Sequence, residues 1–159
     1  MTEALKRRLK QTQFPSAAEE ALLAVMVAAA TLNERMERVC AKHKITRSQY
    51  NVLRILRGVY PKGHPRGDIG CRMVDRAPDI TRLLDRLETR KLVRRARGSE
   101  DQRQTVTFIT AKGLRLLNAM QPKTDAEIAN VLRGMSEQEC RELSRLCGLI
   151  LEAEEATGD

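Results

Sequence analysis

Apolar positions along this chain fall mainly at helical spacing. A first helix is predicted from Ser16 to about Ala41, because Ser16 and Glu19 stand in the spacing of a capping box. Between Ala21 and Leu32 this helix is apolar nearly all round. One small subunit cannot bury such a surface on every side, so we expect a partner helix to cover it.

The next stretch predicts a helix followed by a loop. A second capping box, formed by Thr46 and Gln49, starts a helix that Gly58 ends. The segment 59–67 then combines two glycines and two prolines with polar residues. We interpret it as a loop with room for a short strand.

A helix-turn-helix is predicted after this loop. A short helix around Asp68–Val74 leads through a tight turn into a helix over Pro78–Arg90. Apolar residues of the second helix form one inward stripe, namely Ile80, Leu83, Leu84 and Leu87. Its remaining side chains therefore face outward, as in helices that read DNA.

A hairpin and two further helices complete the predicted fold. The segments 92–95 and 104–109 favour strands joined by a polar loop, and a hairpin directly after a helix-turn-helix is a wing. A helix from Ala111, interrupted or bent near Pro122, is expected to run towards Arg133. After Gly134 a final helix is expected to bury Leu143, Leu146, Cys147, Ile150 and Leu151.

Charge is distributed unevenly along the chain. Residues 42–120 carry 19 basic and 7 acidic side chains, a net charge of +12, whereas residues 121–159 carry 4 basic and 9 acidic, a net charge of −5. Such asymmetry favours a central surface for a polyanion, although a merely solvated basic face is the alternative. The apolar run in residues 21–30 is too short to cross a bilayer, and we expect a soluble, cytoplasmic protein.

Little in the sequence indicates a metal site or an enzyme. The four cysteines form no CxxC pair, and the two histidines lie far from three of them, so neither structural zinc nor another cofactor is expected. We expect all four thiols to be buried and inert. There is no phosphate-binding glycine loop, nucleophile motif or metal cluster, which argues against catalysis.

Three segments together resemble the MarR (multiple-antibiotic-resistance regulator) family. They are Ile45–Leu53, Asp79–Glu88, and Asp101–Arg103 leading into Ile109–Gly113. The chain departs from the common pattern in Asp101-Gln102-Arg103, where consecutive arginines are frequent, and in Lys91, where a glycine usually closes the recognition helix. The resemblance implies a homodimer whose recognition helices enter successive major grooves while the wings reach the flanking minor grooves.

The predicted elements and the resemblance together assign residues 1–159 to a single domain with a mainly α (α+β) fold. This fold is a winged helix-turn-helix with N- and C-terminal dimerisation helices. Residues 16–41 and 122–155 are predicted to form the dimerisation helices. Residues 42–121 are predicted to form the DNA-binding lobe.

Reading the major groove needs arginine and short polar side chains near the start of a helix. The positions that meet this need are Pro78, Asp79, Thr81, Arg82 and Arg86. Asp79 would repel a phosphate if left free, so it either caps the helix or accepts a hydrogen bond from a cytosine amino group. For Arg82 and Arg86 the alternative is ordinary exposed charge, paired with Glu88 or Asp85.

In the wing, Arg103 is predicted to lie near the tip, where a guanidinium suits a narrow A·T-rich minor groove. Asp101 is predicted to orient Arg103 or a neighbouring arginine. Arg94, Arg95 and Arg97 lie on the hairpin and are predicted to contact phosphates, with plain solvation as the alternative.

The resemblance also suggests a small aromatic or phenolic effector. A cleft lined by His43, Tyr50 and Arg54 is the predicted site, with Arg54 as the carboxylate ligand. Tyr50 simply packing, with Arg54 reaching solvent or DNA, is the alternative. Oxidant-sensing relatives use a cysteine near the start of the first long helix, whereas Cys40 lies near its end.

We therefore predict a sequence-specific transcriptional regulator, a repressor that binds double-stranded DNA at a pseudo-palindromic operator as a homodimer. Release by a small aromatic ligand fits the resemblance. The competing hypothesis is an architectural or nonspecific DNA-binding protein that uses the same basic segment.

Overall fold

The structure, a computed structural model, describes residues 3–75, 79–97 and 105–157, with side chains as far as residue 153. The chain divides into two compact units, residues 1–124 and residues 125–159. Within the described ranges the helices are α1 (Glu3–Leu9), α2 (Ala17–Ala41), α3 (Arg47–Gly58), α4 (Arg66–Cys71), α5 (Ile80–Thr89), α6 (Ala111–Leu132) and α7 (Glu137–Thr157). The strands there are β1 (His64–Pro65), β2 (Val93–Arg97) and β3 (Thr105–Ile109).

Three helices begin at the polar caps that the sequence indicates. Ser16 Oγ accepts a hydrogen bond from the Glu19 amide at 3.1 Å, at the start of α2. In α3, Thr46 and Gln49 form the reciprocal pair of a capping box, with hydrogen bonds of 3.1 and 3.2 Å. Ser136 likewise caps α7, since its Oγ accepts from the Glu139 amide at 3.3 Å.

The sheet is antiparallel in the order β1-β3-β2. Strands β2 and β3 form the predicted hairpin, with Val93 opposite Ile109 and Arg97 opposite Thr105. The short strand for which the 59–67 loop has room is β1, and its Pro65 is tolerated because β1 lies at an edge of the sheet. This hairpin follows α5 directly, as a wing does.

The core of the first unit joins α3, α5 and the sheet. The inward stripe of α5 is confirmed, because Leu84 and Leu87 are fully buried while Ile80 and Leu83 pack partly buried against the same core. From α3 the buried apolar residues are Tyr50, Val52, Leu53 and Leu56. Because one face of α5 is fixed against this core, its opposite face must point to solvent.

The close approach of α6 to the sheet requires a glycine. A Cβ atom on Gly113 would lie 2.4 Å from the Leu92 carbonyl oxygen and 2.7 Å from Ile109 Cγ1. Both distances are far below ordinary van der Waals contact, so a side chain at this position would push the helix away from the strands. The glycine therefore sets how closely α6 packs against the winged-helix core.

The structure narrows one prediction for the last two helices and differs from the other. Of the interruption or bend expected near Pro122, the interruption is wrong, because Pro122 lies inside a single continuous α6. The final helix does not bury its apolar stripe within one chain: Leu143, Leu146, Ile150 and Leu151 are all exposed, and Cys147 is half-buried. Helical periodicity predicts that these residues share a face, but it does not say what covers that face.

Exposed apolar side chains also line α2. They are Leu22, Val25, Met26 and Leu32, and their exposed fractions range from 40% to 60%. A short helix, α1, precedes α2, and its Leu5 is buried. Among the described residues, no helix has the length and apolarity needed to span a membrane.

Lys91 adopts the left-handed backbone conformation that its position after α5 requires. Its φ is 58°, and its amide donates to the Glu88 carbonyl at 2.7 Å. A glycine is ordinarily favoured in this conformation because a Cβ atom makes it unfavourable. The departure from the family pattern at this residue is therefore accommodated with local backbone strain.

We expect Lys91→Gly to stabilise the fold by about 1 kcal/mol, because relief of the left-handed strain exceeds the entropy that glycine adds to the unfolded chain. Chemical denaturation at equilibrium measures the change. Lys91→Ala is the matched control, since it removes the same charge but keeps Cβ, and it should give no such gain. Equal stabilisation by both variants would mean that charge, rather than backbone strain, is responsible.

Candidate nucleic-acid interface

The outward face of α5 carries most of the predicted base-contacting residues. Thr81, Arg82 and Arg86 are exposed there. Asp79 caps the helix, because its Oδ1 accepts a hydrogen bond from the Arg82 amide at 2.9 Å. Of the two roles considered for Asp79, the structure contains the capping one. Pro78 lies outside the described residues.

Arg95 occupies the centre of an ion-pair cluster that joins the wing to α5. Its Nε donates to Glu88 Oε2 at 2.7 Å, and its Nη2 lies 2.6 Å from both Asp85 Oδ1 and Glu88 Oε2. The other carboxylate oxygen of Glu88 accepts the Arg95 backbone amide at 2.8 Å. One residue of β2 is thus bound to two carboxylates of α5.

The cluster shifts the pKa of its members in the directions expected of a tight ion pair. Hydrogen bonds from Arg95 hold the pKa of the Glu88 carboxyl below its ordinary value of 4.5. The same bonds, to Glu88 first and Asp85 second, raise the pKa of the Arg95 guanidinium further above its already high ordinary value. The sequence predicts Arg95 as a phosphate contact, but in the structure its guanidinium is engaged within the protein.

This cluster pairs the two carboxylates that could otherwise form ion pairs with the exposed arginines of α5. Pairing of Arg82 and Arg86 with Asp85 or Glu88 was the alternative interpretation of the two arginines. The structure instead pairs both carboxylates with Arg95. Within residues 79–97 and the other described ranges, neither Arg82 nor Arg86 forms an ion pair.

Arg66, which the sequence-based prediction omits, also lies at this face. Its Nη1 donates to Thr81 Oγ1 at 3.0 Å. The hydroxyl of Thr81 is therefore oriented by the first residue of α4. A signal was present in the sequence, because residues 42–67 carry seven basic and no acidic side chains, but spacing alone does not show which of them reaches α5.

The remaining wing arginines differ in their surroundings. The Arg94 guanidinium carbon lies 4.2 Å from the centroid of the Phe108 ring, a cation–π contact. Arg97 is exposed at the end of β2. The predicted wing residues Asp101 and Arg103 lie outside the described residues.

Polar contacts from α3 hold the residues that follow α4. Asn51 Oδ1 accepts the Val74 amide at 2.9 Å, and Arg47 forms an ion pair with Asp75. The Arg47 amide in turn donates to Glu37 Oε2 of α2 at 2.9 Å. The sequence assigns no role to these residues, since partners 23 and 28 positions apart leave no mark in local periodicity.

The three residues of the predicted ligand cleft have different environments. Tyr50 is buried, whereas Arg54 is exposed with its guanidinium 5.9 Å from the Tyr50 ring centroid. His43 Nε2 is buried and has no hydrogen-bond partner in the described part of the chain.

A cavity of about 720 Å³ lies elsewhere, between α4, α5 and the sheet. Its lining residues include Arg66, Asp68, Thr81, Arg95 and Thr107.

The cysteines do not all match the expectation of burial. Cys40 is fully buried, and burial raises its pKa to about 11, which keeps it protonated and unreactive at neutral pH. Cys71 at the end of α4 is exposed, however, and Cys140 and Cys147 are half-buried. Composition alone overstates the burial of the thiols because it ignores the face on which each lies. Across the described residues, no group of three potential metal ligands is present.

A helix with exposed arginines, preceded by a short helix and followed by a β-hairpin, defines a winged helix-turn-helix DNA-binding protein. A family model described as the MarR family matches residues 45–105. The transcriptional regulator MhqR of Bacillus subtilis is 33% identical over 123 residues, covering 75% of this chain and 83% of that protein. This chain belongs to the MarR family of transcriptional regulators.

Solved structures support the same assignment. A MarR transcription factor from Planctomyces limnophilus is 34% identical, with a TM-score of 0.65, and the match covers 86% of this chain and 99% of that one. MepR of S. aureus, whose structure is a complex with DNA, shares the fold at 22% identity, with a TM-score of 0.72 and coverage of 84% and 96%. The winged-helix fold predicted from the sequence is therefore confirmed.

The Glu88–Arg95 interaction should make stability depend on pH in a defined direction. Because the folded-state pKa of Glu88 is below 4.5, its contribution is fully present above that pH and is lost as the pH falls through the folded-state value. We therefore expect the difference in unfolding free energy between the wild type and Glu88→Gln to shrink between about pH 5 and pH 3. Urea denaturation across this range measures it.

The control for this measurement is the same pair of proteins in an Arg95→Met background. Arg95→Met removes the side-chain hydrogen bonds, the largest cause of the lowered Glu88 pKa, and leaves the backbone amide of residue 95 as a donor to Glu88. The difference between Glu and Gln should therefore shrink much less on acidification. An equally large pH dependence in the Arg95→Met background would contradict this assignment.

Proposed function

We propose that this chain is a homodimeric, sequence-specific repressor that reads an operator through α5. The observation that carries the proposal is the pair of exposed arginines, Arg82 and Arg86, whose neighbouring carboxylates are bound to Arg95. A guanidinium free of internal partners can donate two hydrogen bonds to a guanine edge. The basic central segment supplies the attraction to phosphates.

Other residues would surround this central contact. Thr81, oriented by Arg66, is placed to touch a thymine methyl group, while Asp79 holds the start of the helix. Arg97 and the sequence-predicted Arg103 extend the contact along the wing, and Asp101 would orient Arg103. The complex of MepR with DNA supports DNA as the partner of a protein with this fold.

Dimerisation is supported by apolar side chains that are exposed to solvent in the single chain. On α7 the exposed apolar residues are Leu143, Leu146, Leu149, Ile150 and Leu151. On α2 they are Leu22, Val25, Met26 and Leu32. Monomeric proteins rarely expose large contiguous apolar surfaces, so we assign both faces to contacts with a second copy. Residues 16–41 and 122–155 are the proposed dimerisation helices.

A small aromatic effector is proposed on the basis of the cavity beside α5. A volume of about 720 Å³ lies within the range of ligand sites, and Arg66 together with three threonines in its lining suits an anionic aromatic compound. We keep His43, Tyr50 and Arg54 as a second candidate site, since His43 Nε2 is buried without a hydrogen-bond partner among the described residues.

The competing function is nonspecific or architectural DNA binding by the same basic surface. The two differ in the ratio of affinities for the best sequence and for random DNA, which is large only for a regulator. Selection of bound fragments from a randomised DNA library at fixed salt concentration tests this directly.

The first test of the proposal changes one arginine of α5. Arg82→Ala should cost about 1–3 kcal/mol of binding free energy and relax the preference at one base pair in each half-site. Arg115→Ala on α6 is the matched control, because it removes an exposed arginine outside α5 and should leave the sequence preference intact. Arg103→Ala should instead flatten only the preference for A·T-rich flanks.

Library selection with all three variants gives the answer. If Arg82→Ala and Arg103→Ala lose affinity equally for every sequence, both arginines are only phosphate contacts. The architectural function would then be favoured.

The second test changes the apolar face of α7. Leu146→Glu would bury an unpaired carboxylate at the subunit contact, so the dimer dissociation constant should rise about 10-fold or more. Leu146→Met keeps the apolar surface and should remain dimeric. Sedimentation equilibrium at micromolar concentration measures both. A wild-type chain that sediments as a folded monomer would contradict the dimer.

A further inference from the structure

We propose that Arg95 is a positioning residue, which holds the wing to the recognition helix and neutralises the carboxylates of that helix, and does not itself bind phosphate. This inference rests on the proposed function, because it assumes that α5 and the wing contact DNA. It goes beyond that function because it gives one arginine of a basic hairpin a structural role within the protein.

The cluster connects β2 to α5 through hydrogen bonds from both the side chain and the backbone of Arg95. Asp85 and Glu88 are three positions apart on α5, so their side chains share one face of the helix. The Arg95 side chain binds both carboxylates, and the Arg95 backbone amide donates to Glu88 Oε1 at 2.8 Å. Glu88 therefore restrains both the backbone and the side chain of Arg95 in β2.

The position of Arg95 within the hairpin determines what this connection restrains. Arg95 lies at the middle of β2, opposite Thr107 of β3 and two residues before Arg97. Because β2 and β3 pair along their whole length, a restraint at Arg95 sets the orientation of the hairpin relative to α5. The planar guanidinium fork makes this restraint directional, as a lysine ammonium would not.

Electrostatics supply the second part of the argument. Within Ile80–Thr89, the two positive charges of Arg82 and Arg86 are matched by the two negative charges of Asp85 and Glu88. Asp85 is half exposed, with 52% of its side chain accessible, and would repel phosphate if left unpaired. The Arg95 guanidinium compensates these carboxylates and leaves the recognition helix with a net attraction for DNA.

The same contacts make Arg95 a poor ligand for phosphate. Its Nε and Nη2 are held at 2.6–2.7 Å by two carboxylates, and 29% of its side chain is exposed. Binding a phosphate through this Nε–Nη2 edge would require it to release at least one of these oxygens. Arg97 lies on the same strand, is exposed and has the same charge, so it provides the natural comparison.

The experiment is a double-mutant cycle on operator affinity in the full-length protein. Its two changes are Arg95→Met and the pair Asp85→Asn with Glu88→Gln, made separately and together. Arg95→Met alone should weaken binding about 10-fold, since it exposes two carboxylates and frees the wing. In the Asp85→Asn/Glu88→Gln background the same change should cost less than about twofold, because its partners are already gone.

Arg97→Met in both backgrounds is the matched control. Because Arg97 is taken to be an independent contact, Arg97→Met should reduce operator affinity by the same factor with and without the carboxylates. If Arg95→Met behaves in this way too, with equal loss in both backgrounds, Arg95 is a direct phosphate contact and the proposal is wrong.

Two further measurements keep the test decisive, one if Arg95→Met misfolds and the other if the proposed function is wrong. Asp85→Asn/Glu88→Gln retains Arg95 and adds net positive charge, yet it should lower the ratio of operator to random-DNA affinity because the wing is no longer held. An unchanged ratio together with higher affinity would overturn the proposal even if Arg95→Met does not fold.

Failure of the underlying function has a different signature. A wild-type chain without any preference for one DNA sequence would reject both the proposed function and this inference. A wild-type chain that selects an operator, combined with an additive cycle, would reject the inference alone.

Discussion

The burial of one side of α5 is the constraint on which the rest of the DNA-binding lobe depends. Leu84 and Leu87 are at most 1% exposed, and they fix the rotation of the helix about its own axis. With that rotation fixed, Thr81, Arg82 and Arg86 can only point to solvent. A helix free to rotate by one residue, about 100°, would turn the arginines towards the core or the wing.

Charge compensation then decides what the exposed face can do. A helix with equal numbers of basic and acidic side chains is no better than neutral towards DNA, however well it is oriented. Arg95 changes this balance from an adjacent strand, by binding Asp85 and Glu88 within the protein. The candidate interface is therefore a joint property of the helix and the wing, and in our proposal its basic residues divide into those that face DNA and one, Arg95, that supports them.

Apolar surface and basic surface occupy different parts of the chain. The exposed apolar stripes lie on α2 and α7, whereas the arginines of the candidate interface lie between residues 66 and 103 of the sequence. In the proposed function, this separation would let a protein of 159 residues present one surface to a second copy and another to a polyanion without conflict. The net negative charge of residues 121–159 fits that proposal, because negative charges repel a polyanion.

The sequence by itself determined the starts of α2, α3 and α7, the inward stripe of α5, the wing hairpin and the concentration of positive charge. These features depend on interactions between near neighbours, such as the caps at Ser16 and Thr46, or on periodicity along one element. The helix predicted around Asp68–Val74 instead spans Arg66–Cys71. The family followed from three short segments in the right order. Even the unusual Lys91 was visible as a departure, although its left-handed backbone was not.

Only the tertiary structure decided which charges are free and which surfaces are covered. The pairing of Arg95 with Glu88 joins a strand to a helix, and the contact of Arg66 with Thr81 spans 15 residues, so neither has a periodic signature. The exposure of Cys71 and of the α7 stripe likewise depends on what packs nearby. Local sequence specifies which face a residue occupies, but the partner on that face comes from a distant part of the chain or from another molecule.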